Sequence, residues 1–140
     1  MKIRQLTAED VKTIRDWPAY PSEFSALDYA LREHGWLDDF PEGPTNHRYG
    51  AWENAELVGF SILTEIRSRR AEFYIAVHPD KLGQGLGKVL TQLVLAKGFQ
   101  ELGLDTIYLK VRAWHARGIR VYEKAGFHKV GCGEFQSARP

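Results

Sequence analysis

The sequence predicts a mixed α/β (α+β) fold: a largely antiparallel sheet with one parallel crossover, flanked by about four helices. Two observations carry most of this. Between residues 48 and 77, three strand-like runs are joined by connections of only a few residues, which makes neighbouring strands antiparallel. Between residues 71 and 111, a long helical pattern separates two strands, as in a parallel crossover. A third observation, apolar residues at helical spacing on either side, completes the order β-α-α-β-β-β-α-β-α-β.

Each element has its own signal. Lys2 to Leu6 alternates polar and apolar residues and reads as a strand. Thr7-Ala8-Glu9-Asp10 has the form of a capping box, with Asp10 in place of the usual Glu. The helix it opens carries Val11 and Ile14 and stops at Trp17-Pro18. After a break over residues 18–21, Ser22 or Ser25 caps a second helix through Leu27, Ala30, Leu31 and Trp36. Residues 38–46 hold two prolines and a glycine and form a loop, the segment expected to move most.

Arg48 to Trp52 and Leu57 to Ile66 are strands around a turn at Glu53-Asn54-Ala55, and Ala71 to Val77 is a third. Gly85 to Leu102 is helical, with Leu86, Val89, Leu90, Leu93 and Val94 on one wide apolar face, and Gly103 caps its end. Thr106 to Val111 is a strand, Trp114 to Lys124 a helix closed by Gly126, and Phe127 to Val130 a last clear strand. Little chain follows. Glu134 to Ser137 makes a strand stub, or a second subunit completes the sheet edge in a homodimer.

The 140 residues fit one domain with room for a real core. With 19 basic against 18 acidic residues and a net charge of +1, nothing marks a nucleic-acid or membrane surface. The single cysteine, Cys132, excludes an internal disulfide and suits a reducing compartment. Met1-Lys2-Ile3-Arg4 has no apolar signal core, and no apolar run is long enough to span a membrane. A soluble cytoplasmic protein is the expectation. No H-E-x-x-H or cysteine cluster suggests a metal.

The stretch Val77 to Lys88 carries the chemistry. It joins a strand to a helix and sets glycines at 83, 85 and 87, where helix-start amides and the dipole make an anion cradle. A P-loop would need its first glycine at Leu82 and its hydroxyl at Val89, which excludes a nucleoside-triphosphatase. A dinucleotide fingerprint would need glycine at Lys88 or Leu90. A serine hydrolase fails as well, because Gly59-Phe60-Ser61-Ile62-Leu63 lacks the second glycine of a nucleophile elbow.

The stretch does resemble the pyrophosphate-binding motif of the GNAT superfamily of acyl-CoA-dependent N-acyltransferases. Val77, Pro79, Gly85 and Gly87 match that pattern in order, while Leu82 stands where the family usually has Gln or Arg. Lys81 or Lys88 could supply the missing charge. A second stretch is similar to the family's late signature. Ile119, Tyr122, Glu123, Lys124, Gly126 and Phe127 take their places in it, with His115 for the usual Asn and Gly118 for Ala.

The resemblance implies a splayed strand pair at the crossover and acetyl-CoA as cofactor. It implies a diphosphate held over Leu82, Gly83, Gln84, Gly85, Leu86, Gly87 and Lys88, with His115 hydrogen-bonding the cofactor arm. It also implies that the amides of Ile75, Ala76 and Val77 face the thioester, and that Tyr122 serves the leaving thiolate. A phenol of pKa about 10 facing a thiol of about 8.5 makes full transfer uphill by about 2 kcal/mol, so hydrogen bonding is its main contribution.

Glu72 stands where several relatives keep a general base; Glu65, Tyr74 and His34 are reserves. The implied reaction is direct acetyl transfer to a primary amine of a small molecule or peptide. The alternative is a non-catalytic acyl-CoA-binding sensor or interaction module of the same fold. Residues 17–48 are rich in aromatics and acids (Glu23, Asp28, Asp38, Asp39, Glu42), a mix that suits a cationic amine.

Overall fold

A computed structural model describes all 140 residues. In chain order the elements are β1 (Lys2–Gln5), α1 (Ala8–Arg15), a 3-10 segment (Ser22–Leu31), α2 (Trp36–Asp39), β2 (His47–Glu53), β3 (Glu56–Arg67) and β4 (Arg70–Val77). After a 3-10 turn (Pro79–Lys81) come α3 (Leu86–Gln100), β5 (Thr106–Lys110), α4 (Ala116–Ala125), β6 (His128–Gly131) and β7 (Glu134–Ala138). The seven strands form one sheet in the order β1-β2-β3-β4-β5-β7-β6, antiparallel except for the β4–β5 pair. No helix is long and apolar enough to cross a membrane.

Tight turns set the register of the first four strands. Asn54 and Ala55 (φ 50° and 66°) close the β2–β3 hairpin, and Ser68 and Arg69 (φ 51° and 60°) close the β3–β4 hairpin. Two left-handed residues in a two-residue loop match the twist of the strands they join. Leu57 through Thr64 of β3 are all buried, because both faces of the sheet are covered. On one face α3 lays Leu90, Val94 and Phe99 against Leu63, Phe73 and Ile107. On the other, Ile14 of α1 and Leu31 pack with Phe60 and Ile62. Each such side chain contributes roughly 1.5–3 kcal/mol of burial.

The capping box forms as expected: Thr7 Oγ1 accepts from the Asp10 amide at 3.2 Å, and the Asp10 carboxylate accepts from the Thr7 amide at 2.8 Å. The second helix does not. Pro21 offers no side-chain cap and Phe24 leaves helical geometry, so residues 22–31 wind as 3-10 and only four residues near Trp36 are α-helical. A tertiary interaction breaks the pattern. The Arg32 guanidinium turns back to the carbonyls of Arg15, Trp17 and Pro18 at 2.7–3.0 Å, anchored by Asp28 at 2.9 Å.

The loop over residues 38–46 makes side-chain hydrogen bonds of its own. Asn46 donates to the Pro41 carbonyl and accepts from Thr64, while the Glu42 carboxylate accepts from the Arg48 amide. At the C-terminal end the expected stub is a full strand. β7 pairs with β5 from Thr106↔Ala138 to Lys110↔Glu134 and with β6 on its other side. Of the two alternatives, a stub from the chain or a second subunit, the chain itself supplies the strand here. Helix α3 ends at Gln100 with Glu101, not Gly103, as its C-cap, and Gly103 (φ 68°) turns the chain just beyond.

Candidate active site

The site begins where two strands part. β4 and β5 pair only over Arg70–Glu72 and Thr106–Tyr108. Beyond that point β4 stays on β3 as far as Val77, and β5 stays on β7 as far as Lys110. The splay the motif implied is present.

Backbone geometry decides which groups look into the gap. The His78 amide donates to the Val58 carbonyl at 2.8 Å, which makes 58 and 78 a hydrogen-bonded antiparallel pair. By alternation Ala76 also faces β3, whereas Ile75 and Val77 turn their N–H and C=O groups toward the gap. Of the three amides expected there, two are free to serve; Ala76 contributes wall. The Tyr20 hydroxyl donates to the Val77 carbonyl at 2.7 Å and fixes the end of the strand.

The glycine loop has the conformation its residues allow. Gly83 and Gly85 have φ of 78° and 80°, and a Cβ on either would meet nothing within 4 Å. Open space therefore lies above a backbone that only glycine adopts without strain. Gly85 caps α3, whose first turn has no acidic residue, leaving the amides of Leu86, Gly87 and Lys88 without helical partners. A cavity of about 430 Å³ runs from this loop along the gap. Its charged lining, Lys81, Arg117, Arg120 and Lys124, is entirely basic. Leu82 lines it as an apolar residue, and Lys81 supplies the nearby charge while also pairing with Glu56 at 3.3 Å. Gln84 and Lys88 do not line it.

A second cavity, of about 390 Å³, lies on the other side of the gap and contains Glu72 and Tyr74. The two share six wall residues: Tyr20, Leu27, Ile75, Ala76, His115 and Tyr122. Tyr122 therefore stands at the junction. Its ring is edge-on to Phe73 (6.3 Å) and Phe127 (6.0 Å), and burial pushes its phenol up to about 12. It stays protonated near neutral pH and can only donate or share that proton.

Burial likewise raises the Glu72 carboxyl above the ordinary range, opposed by the nearby Lys110 ammonium. A carboxylate so placed is a better proton acceptor than an exposed one. Glu65 sits on a β3 bulge (φ 55°) and His34 is exposed beside Glu33; neither lines either of these two cavities.

The two departures from the late signature turn out to be one feature. A Cβ on Gly118 would stand 2.3 Å from His115 Cδ2 and 2.5 Å from Nε2, so the larger ring at 115 requires the missing methyl at 118. The ring lies edge-on to Phe24 (6.1 Å) and against Trp114 (5.5 Å). Its Nδ1 is buried without a partner, and burial with the neighbouring Arg117 lowers its pKa. An open cradle, unpaired helix amides, a basic rim and an orphaned imidazole nitrogen suit a diphosphate ligand with a long polar arm. The residues fit coenzyme A.

Several lining residues escaped the sequence reading. Arg117 and Arg120 went unnamed, yet with Lys124 of the late signature they fall at i, i+3 and i+7, a spacing that puts all three on one helix face. Tyr20, Leu27, Lys110 and Arg112 carried no such signal, because only the tertiary fold brings them to the gap.

A sequence profile described as the Acetyltransferase (GNAT) family matches residues 11–127. The [Ribosomal protein bS18]-alanine N-acetyltransferase of Escherichia coli (strain K12) is 34% identical over 78 residues, 56% of this chain and 52% of that protein. The chain thus spans about half the length of that relative. Spermidine N(1)-acetyltransferase of the same strain is 36% identical over 144 residues, covering 94% of this chain and 74% of the relative. Spermidine N-acetyltransferase from Vibrio cholerae, solved in complex with CoA and spermine, superposes with a TM-score of 0.76 at 20% identity, over 99% of this chain and 95% of that one. With most of its length inside the matched profile, the chain belongs to the GNAT family of acetyltransferases.

Proposed function

We propose that the protein transfers an acetyl group from acetyl-CoA to a primary amine of a small molecule or peptide, by direct attack within a ternary complex. The observation that carries this reading is the meeting of two cavities at Tyr122, one with an anion cradle and one with a half-buried carboxylate. The relatives support it, since one acts on spermidine and another on a ribosomal protein's alanine.

When bound, acetyl-CoA supplies an activated thioester carbonyl. The chain's residues do the rest. Gly83, Gly85 and the α3 amides hold the diphosphate, with Arg117, Arg120 and Lys124 around it. Ile75 and Val77 N–H groups face the gap, where an oxygen gaining charge needs donors. Glu72 takes a proton from the acceptor ammonium, directly or through water, so that the amine is neutral when it attacks. Tyr122 gives a hydrogen bond to the departing sulfur. Cys132 is exposed and free, and a cytoplasmic, reducing setting suits it.

The test is to incubate the protein with acetyl-CoA and an amine panel and follow free thiol. Amine-dependent thiol release supports the proposal. Tight CoA binding with no turnover for any amine would replace it with a sensor role.

A further inference from the structure

The acceptor cavity has the wrong charge for a polycation. None of the six acids in residues 17–48 (Glu23, Asp28, Glu33, Asp38, Asp39 and Glu42) lines it. Asp28 is bound to Arg32 and the Tyr20 amide, Asp38 to Arg15 and the His34 amide, and Glu42 to the Arg48 amide beside His47. Glu72 is the one carboxylate lining the cavity, whose wall also carries two cations, Lys110, which acts on Glu72, and Arg112. Neither cation has a carboxylate within ion-pair distance.

Register explains their placement. Tyr108 pairs with Glu72, and Lys110 lies two residues further along β5, about 7 Å on, with its side chain on the same face. Aromatic rings form much of the remaining wall, beside Leu27, Ala30, Ile75, Ala76 and Val111. Tyr29 and Trp114 at the mouth are 54% and 50% exposed, and Trp36 lies edge-on to both Tyr29 (6.1 Å) and Tyr74 (4.9 Å). Exposed aromatics around a cavity are available to bury an apolar ligand group.

We infer that the acceptor is a free amino acid or close analogue with an apolar or aromatic side chain, its amine at Glu72 and its carboxylate at Lys110 and Arg112. This rests on the proposed acetyl transfer. A polyamine would bring further positive charge toward two unpaired cations, whereas a zwitterion satisfies all three groups. Arg112 offers the carboxylate a planar two-point contact, and Lys110 a compact charge.

The experiment compares L-phenylalanine, L-phenylalaninamide and spermidine as acceptors, following thiol release and correcting each rate for its neutral amine fraction. The amide keeps the amine and ring but lacks the carboxylate. The inference expects kcat/KM for phenylalanine at least about tenfold above the amide, the worth of one charge-assisted contact. In a Lys110→Ala/Arg112→Ala variant that ratio should fall to near one. A ratio near one in the unaltered protein, a preference for spermidine, or a ratio that survives the double substitution overturns the inference while acetyl transfer stands. No thiol release with any of the three also overturns the inference, and acetyl transfer itself falls only if the wider amine panel gives none either.

Discussion

Replacing Gly118 by alanine in α4 tests whether residues 115 and 118 are one unit. At an ordinary helix position the change stabilises by about 1 kcal/mol, because glycine is a poor helix former. Here the new methyl would lie 2.3 Å from His115 Cδ2, more than 1 Å inside normal carbon contact, and the ring is hemmed by Phe24 and Trp114. Overpacking of that kind costs about 1–3 kcal/mol. The net result is a loss of about 1 kcal/mol, which for a chain of this length lowers Tm by roughly 4 °C. In a His115→Asn background the obstruction is gone, and Gly118→Ala should raise Tm by about the same amount. Thermal unfolding of the four proteins in the cycle gives the coupling, expected near 2 kcal/mol. Equal Tm increases in both backgrounds would show that the ring yields freely and that the two positions are independent.

Other outcomes follow from the site. Tyr122→Phe should lower kcat by roughly 10- to 100-fold while calorimetry shows little change in CoA affinity; unchanged turnover would remove Tyr122 from the mechanism. Gly85→Asp places a carboxylate in the cradle at a φ of 80°, so CoA binding should vanish while circular dichroism still reports a folded protein. Because burial raises the Glu72 pKa, its proton-accepting form is lost at a higher pH than for an exposed glutamate. Activity should therefore fall on acidification from above the usual carboxylate range, and Glu72→Gln should abolish that limb of the kcat/KM profile. Tyr20→Phe removes the donor to the Val77 carbonyl and should cost about 1 kcal/mol in urea unfolding; no change would mean water replaces it.

Much of the fold was legible because its signals are local. Thr7 and Asp10 cap α1 through atoms three residues apart, and the short turns at residues 54–55 and 68–69 dictate antiparallel neighbours without help from the rest of the chain. The anion cradle was legible for the same reason, since three glycines before a helix suffice. Residues 22–36 were misread because Arg32 draws its partners from fourteen to seventeen positions upstream, and no periodicity records that. β7 was undervalued because its worth lies in two partners, β5 and β6, rather than in its own five residues. The donor half of the site is written in one stretch plus one helix. The acceptor half is collected from β4, β5 and the segment around Trp36; of the acids that suggested a cationic substrate, Asp28 and Asp38 are held in ion pairs and none lines the cavity.

The shared wall between the two cavities has a consequence for how substrates load. Tyr20 lines both and clips the end of the strand whose amides face the gap, so an occupant on either side meets the other's surroundings through the same ring and the same backbone. Any displacement of that ring by the first arrival alters the free energy of the second, and linkage makes the effect equal in both directions. Saturating one substrate should therefore change the apparent dissociation constant of its co-substrate by a common factor, whichever is added first.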